Sequence, residues 1–175
     1  MTEGRTPVSW LLDNADLLPA RGGLALDVAC GRGRHALWLA RAGFRVRALD
    51  RNAGALETLC AEAARLGLAI ECEAIDLETD PPPDLGAARY DAIVVFNYLH
   101  RPLMPVLRHA LAVGGRLFYE TFTVDQAARG RPSNPHFLLG PGELRSLVAP
   151  LHVLRYREVD VEGRCVASVV AERRA

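Results

Sequence analysis

The sequence predicts an α/β domain built on a mostly parallel sheet, and three stretches carry that prediction. Leu24 to Ala40 runs from an apolar strand through a glycine turn into a helix. Phe44 to Asp50 alternates apolar and charged residues and ends in a carboxylate, and Tyr90 to Phe96 is apolar nearly throughout. Strands separated by segments of helical period are the mark of βαβ units, whose crossovers make neighbouring strands run parallel.

Length and composition bound the rest. At 175 residues, half of them hydrophobic, the chain has the size of one domain spanning 1–175, with an N-terminal helical segment over 1–20 and a long loop over 123–140. Basic and acidic residues balance at 21 each, which gives no electrostatic reason for a nucleic-acid or membrane partner. No apolar run approaches the roughly 20 residues of a membrane span, and the N-terminus lacks a signal-peptide core. The expectation is a cytoplasmic protein, monomer or homodimer, acting on a small molecule. Every basic residue is Arg; without Lys there is neither a pyridoxal-phosphate Schiff base nor a Walker A loop. Cys30, Cys60, Cys72 and Cys165 form no C-x-x-C pair, so neither a metal site nor a disulfide framework is indicated.

Pro7 to Leu18 reads as a short helix with Leu11, Ala15 and Leu18 on one side; Trp10 either packs this helix on the body or faces a ligand. In the turn that follows the first strand, Gly31 and Gly33 lack a Cβ, so the backbone can bend sharply and approach a ligand, with the helix N–H groups behind it. Asp50 ends the second strand 19 residues beyond Gly31, the spacing at which a carboxylate reaches ribose hydroxyls. Asn52 caps a helix stopped by Gly67. Ile70, Cys72 and Ala74 form a third strand running on to Asp76, either an adenine contact or a turn former.

The two continuous strands belong in the middle of the sheet and the charged ones on a flank, giving a partial order 3-2-1-4. Ligands bind where that order reverses, so Gly31, Gly33 and Asn97-Tyr98-Leu99-His100 should converge there. A helix opens at Arg101-Pro102, Gly114-Gly115 leads into a fifth strand over Arg116 to Phe122, and Thr123 to Gly140 follows with little periodicity. A loop this long is usually functional or disordered, and its prolines, aromatics and donors suit an ordered lid better than a linker. A short helix near Gly142 to Val148 precedes strands at Val153 to Val159 and Cys165 to Glu172, joined by a turn at Glu162-Gly163.

Gly31-Arg32-Gly33-Arg34-His35-Ala36 also satisfies the G-x-G-x-x-A dinucleotide pattern, which makes a nicotinamide-dependent dehydrogenase one alternative. Asp27 argues against it: a carboxylate so close to the turn repels a pyrophosphate, and either holds a structural hydrogen-bond network or favours a cofactor with an ammonium group. With Asp27, Gly31, Gly33, Asp50 and Asp76 in place, the chain resembles a class I S-adenosylmethionine-dependent methyltransferase over nearly its whole length. The resemblance implies a Rossmann-like three-layer sandwich whose mostly parallel seven-stranded sheet has the order 3-2-1-4-5-7-6, with strand 7 antiparallel. It implies S-adenosyl-L-methionine as cofactor, with the D-x-x-C/G-G-x-G turn at its site, Asp50 on the ribose and Asp76 near the adenine. Ala29-Cys30 departs from the small residues usual there. The turn Cys30-Gly31-Arg32-Gly33-Arg34-His35-Ala36-Leu37-Trp38-Leu39-Ala40 is similar to that of the tellurite-resistance methyltransferase group.

The expected cofactor contacts are Asp27, Cys30, Gly31, Gly33, Arg34, Asp50, Arg51, Asp76, Leu77 and Asn97. Tyr98, His100 and His136 are the candidate bases, and Trp10, Tyr98, His100, Arg131 and Asn134 the candidate acceptor contacts. Arg131 is either an oxyanion or carboxylate clamp or a solvated loop arginine. Transfer from a sulfonium needs mainly positioning and exclusion of water, and soft anions such as a chalcogen oxyanion or thiol-like nucleophile need no base. A cofactor-binding protein without transferase activity is the other alternative.

Overall fold

The computed structural model describes residues 6–19 and 23–175. Its seven strands are β1 (Leu24–Val28), β2 (Arg45–Asp50), β3 (Ile70–Ala74), β4 (Tyr90–Phe96), β5 (Leu111–Phe122), β6 (His152–Val161) and β7 (Arg164–Glu172). The helices are α1 (Ser9–Asp13), α2 (Arg34–Arg41), α3 (Ala53–Leu66), α4 (Met104–Ala110) and α5 (Glu143–Val148). The strands form one sheet in the order β3-β2-β1-β4-β5-β7-β6. β1 to β5 are parallel, and β7 runs antiparallel to both of its neighbours. This is the expected Rossmann-like order, and it places the reversal between β1 and β4.

Each face of the sheet has its own core. On one, Leu11 of α1, Leu39 of α2 and Leu59 of α3 pack with Val46, Val94 and Phe118. On the other, Leu107 of α4 and Leu144 of α5 meet Leu26, Ile93 and Tyr119. All but Val46, Leu107 and Tyr119 are wholly inaccessible, and those three nearly so. Two-sided burial is why β1 and β4 read as continuous apolar runs. No described helix is long and apolar enough to cross a membrane.

Local chemistry explains most boundaries. The Asn52 side chain accepts from the Ala55 N–H at 3.1 Å to start α3, and Gly67 ends it at φ 64°. Glu162 and Gly163, at φ 54° and 72°, turn β6 into β7 between the paired Val161 and Arg164, the two-residue geometry that matches the twist of a hairpin.

Three boundaries differ from the sequence reading. β5 begins at Leu111, not Arg116: Leu111 already pairs with Tyr90, and Gly114-Gly115 forms an irregularity inside the strand. A Cβ on Gly115 would lie 2.7 Å from the Tyr90 carbonyl oxygen, so only glycine lets the chain pass so close. The helix expected from Arg101 starts as a 3-10 turn over Arg101–Leu103, and α4 ends at Ala110. The N-terminal helix is also shorter, breaking at Asn14 before a 3-10 turn over Ala15–Leu17; positions 1–5 and 20 of that segment lie outside the described residues.

Residues 123–140 hold packed structure of their own. Thr123 bridges Leu139, 3-10 turns span Val124–Ala128 and Pro135–Phe137, and Leu138 and Leu139 are buried. The Gln126 side chain donates to the Arg131 carbonyl at 3.2 Å and accepts from the Cys165 N–H at 2.9 Å, stapling the loop to β7.

Candidate functional site

The glycine turn is held by two carboxylates. The Asp50 carboxylate accepts from the Gly31 N–H at 2.7 Å and the Asn52 N–H at 2.9 Å. The Asp27 carboxylate, 1% exposed, accepts from the Ala36 N–H at 2.9 Å. Gly33 bonds back to the Cys30 carbonyl at 2.9 Å. Three of the turn's amides are therefore already used, two of them by acids, and a pyrophosphate would meet carboxylates where it needs donors. This geometry disfavours the dinucleotide reading.

Burial, opposed in part by the Ala36 bond and by Arg34, pushes the Asp27 carboxyl up to about 7. A cationic group beside it would drive it back to the ionised form. Gly33 adopts φ 73°, and a Cβ there would lie 2.4 Å from both Leu59 methyls, so a substitution adds backbone strain to a contact from which the Leu59 side chain must move. Gly31, at φ 55°, is different: a Cβ would meet nothing within 4 Å, so it faces open space. Ala29 holds φ 54° without being glycine, at a cost of about 1–2 kcal/mol. Burial, reinforced by the charges of Asp27 and Asp50, pushes the Cys30 thiol up, so it stays protonated; it donates to the Gly31 carbonyl at 3.6 Å.

A cavity of about 490 Å³ opens at the carboxyl ends of the strands, a volume usual for a small-molecule site. Asp50 and Arg51 line it from β2, Asp76, Leu77 and Glu78 from beyond β3, and Asn97, Tyr98 and Leu99 from beyond β4. Thr121 and Phe122 of β5, with Pro132 and Phe137 of the long loop, close the far wall. A smaller pocket holds Cys30, Gly31, Arg32 and Arg34, and Ala29 and Asn97 border both. Asn97 sits at φ 58°, with its Oδ1 accepting from Arg164. Burial, then the charge of Arg164, holds the Arg34 guanidinium below its ordinary range.

The remaining candidates are placed unevenly. The Tyr98 hydroxyl and His100 Nε2 are shielded from solvent without a hydrogen-bond partner. Burial, then the charges of Glu78 and Asp76, pushes Tyr98 ionisation up, so this phenol is no base near neutral pH. His100 and His136 border a side pocket that shares Glu78, Leu99 and Phe137 with an adjoining wall. Asn134 caps the 3-10 turn by accepting from the His136 N–H at 3.0 Å and is not among the residues lining the cavity. Arg131 is exposed, and the lining passes through its neighbour Pro132. Trp10 lies away from the cavity: it is 6% exposed, donates to the Val169 carbonyl at 3.3 Å and stacks under Arg157, so it packs the N-terminal helix on the sheet.

Sequence reasoning missed Glu78, Phe122, Pro132, Phe137, Arg101 and Arg164 as site residues. Phe137 carried a signal, a large apolar residue in a polar loop. Arg101 and Arg164 carried none, because their partners are distant in sequence.

A parallel sheet with its glycine turn and acids gathered at the switch point defines a nucleoside-cofactor domain without a phosphate cradle. The chain belongs to the methyltransferase domain family, whose sequence profile matches residues 25–115. The family's cofactor is S-adenosylmethionine, as the turn and its acids led one to expect. Among solved structures the chain is similar to TehB from Haemophilus influenzae, with a TM-score of 0.78 and 20% identity over 96% of this chain and 63% of that one. It is also similar to an S-adenosylmethionine-dependent methyltransferase from Mesorhizobium loti, with a TM-score of 0.75 and 17% identity over 95% and 98%. At these identities the likeness is one of fold. A curated relative, "Hemagglutinin 1" of Eikenella corrodens, is 29% identical over 154 residues, 79% of this chain and 49% of that protein. The chain thus spans about half the length of that relative.

Proposed function

We propose that the protein is an S-adenosylmethionine-dependent methyltransferase acting on a small-molecule acceptor by in-line transfer. The carrying observation is the Asp50 carboxylate, fixed by the Gly31 and Asn52 amides at the edge of a 490 Å³ cavity. A carboxylate oriented by two donors loses little freedom on accepting ribose hydroxyls. Asp76 and Leu77, on the same wall, fit the adenine end. Cys30 and Gly31 line the smaller pocket, which suits the methionine end, with Asp27 and Gly33 behind them holding the turn; a cofactor ammonium near by would favour ionised Asp27, and Arg34 suits the carboxylate. Arg51 and Asn97 border the middle.

When bound, the cofactor supplies an electrophilic methyl on a sulfonium. The protein's part is to align the acceptor behind that methyl and exclude water, a role for which the apolar Pro132 and Phe137 of the loop wall are suited. Of the three candidate bases the Tyr98 hydroxyl is shielded and His136 is exposed, which leaves His100, whose Nε2 is shielded and without a hydrogen-bond partner, to take the proton of an acceptor that carries one; a soft thiol-like anion would need no base. Titration calorimetry with S-adenosylhomocysteine tests the reading. We expect saturable binding that Asp50→Ala weakens about a hundredfold, the cost of an orphaned Gly31 amide plus lost charged hydrogen bonds. Absence of measurable binding to the intact protein overturns it.

A further inference from the structure

Phe137 is the large apolar side chain left exposed at the cavity rim, at 49%. Leaving a ring half in water is unfavourable by about 25 cal/mol for each Å² exposed, and a free loop would fold it inward. Arg101 prevents that. Its guanidinium donates to the carbonyls on either side of Phe137, His136 at 3.0 Å and Leu138 at 2.9 Å. Its other donors reach Glu143 at 2.5 and 3.0 Å, and Glu143 in turn accepts from the Gly140 N–H at 2.7 Å. A planar fork bound on both sides fixes the backbone of this turn, so the ring is held toward the cavity.

Phe122 and Pro132 share this wall with it, and Tyr98 and Leu99 line the cavity as well. None of these is cationic. Arg101, in the adjoining side pocket, is neutralised by Glu143, and Arg164, stacked on Phe122, is engaged with Glu120 and Asn97. Arg51 lines the cavity too, but with Asp50, Asp76 and Glu78 in the same lining the acids outnumber that one guanidinium three to one. Arg32 and Arg34 lie in the smaller pocket beyond Asn97, where the cofactor's own carboxylate belongs.

We infer that the acceptor is a neutral, ring-bearing molecule seated between Phe122, Pro132 and Phe137, with Arg101 as the positioning residue of that seat, and that it is not an oxyanion. Aromatic and proline faces favour a flat apolar partner, and an anion here would be desolvated beside these carboxylates. This inference rests on the methyltransferase reading, and the experiment separates the two.

The intact protein is first titrated with S-adenosylhomocysteine, then, when saturated, with 4-methylphenol or with selenite, each followed by calorimetry and ligand-observed NMR. 4-Methylphenol should bind and selenite should not. Phe137→Ala and Arg101→Ala should each weaken 4-methylphenol about tenfold while leaving S-adenosylhomocysteine within about twofold, the pattern of a buried aromatic anchor and its support. Phe137→Leu should restore most of the affinity. Arg101→Ala should also speed amide exchange across residues 136–139, with α4 unchanged. Failure of S-adenosylhomocysteine to bind overturns the cofactor reading and this one with it. Normal cofactor binding combined with selenite binding, with no 4-methylphenol binding, or with 4-methylphenol binding indifferent to Phe137→Ala overturns the acceptor seat alone.

Discussion

On one side of Asn97 the glycine turn is held by carboxylates close in sequence, Asp27 on Ala36 nine residues away and Asp50 on Gly31 nineteen away. On the other side the wall around Phe137 is held by Arg101, 35 and 37 residues from the carbonyls it grips, and by Glu143, 42 residues from Arg101. The first is one βαβ unit, where the geometry of the turn dictates which amides face which acids. The second is assembled from the ends of separate elements, and a single fork of hydrogen bonds sets its shape. A site divided in this way can keep its cofactor half while its acceptor half changes.

The comparison breaks first at Gly33. Gly33→Ala combines a strained φ with a clash against Leu59 and should cost about 3 kcal/mol in chemical denaturation. Adding Leu59→Ala should not rescue it fully, because the backbone strain stays; full rescue would show that packing alone demands the glycine.

Asp27 gives the next effect. Its folded pKa of about 7 lies above the unfolded value of 3.8, so the folded state holds the proton more tightly. The ligand-free protein should therefore be most stable below about pH 4 as far as this group is concerned, losing that contribution as pH rises toward 7. Asp27→Asn keeps an acceptor for the Ala36 N–H and should remove this slope in melts from pH 5 to 8. In the unchanged protein S-adenosylhomocysteine should bind several-fold more tightly at pH 8 than at pH 6, and Asp27→Asn should flatten that rise. An unchanged rise would place the ammonium elsewhere.

His35 should report an opposite dependence of comparable size. Burial, then Arg34, pushes its imidazole down to about 3; it stacks on Phe96 and accepts from the Val8 N–H at 3.4 Å. The contribution of neutral His35 is present above about pH 6.5 and is lost as pH falls toward 3. His35→Phe should lessen acid destabilisation and loosen amides near Val8, seen by hydrogen exchange. The smallest effect is expected from Arg131→Ala: the side chain is exposed and off the lining, so cofactor and 4-methylphenol affinities should both stay within about twofold. A larger loss of acceptor affinity would return Arg131 to the site.

Sequence by itself determined the sheet as far as β4, the glycine turn, the strand-end acids and the closing hairpin. These depend on side-chain alternation, on residues without a Cβ and on spacings inside one βαβ unit, all local enough to leave a pattern. It also pointed to the β4 edge of the cavity, where Asn97 to Leu99 lie, while His100 borders the side pocket. Only the tertiary structure decided what stands opposite. It moved Trp10 into the core and gave Asn134 a capping role. It set Pro132 and Phe137 on the wall in place of Arg131, and it brought Arg101, Glu143 and Arg164 to positions that no periodicity encodes. Where a side chain's partner is 35 or more residues away, the contact exists only once helices and strands have packed, and nothing in the local sequence records it.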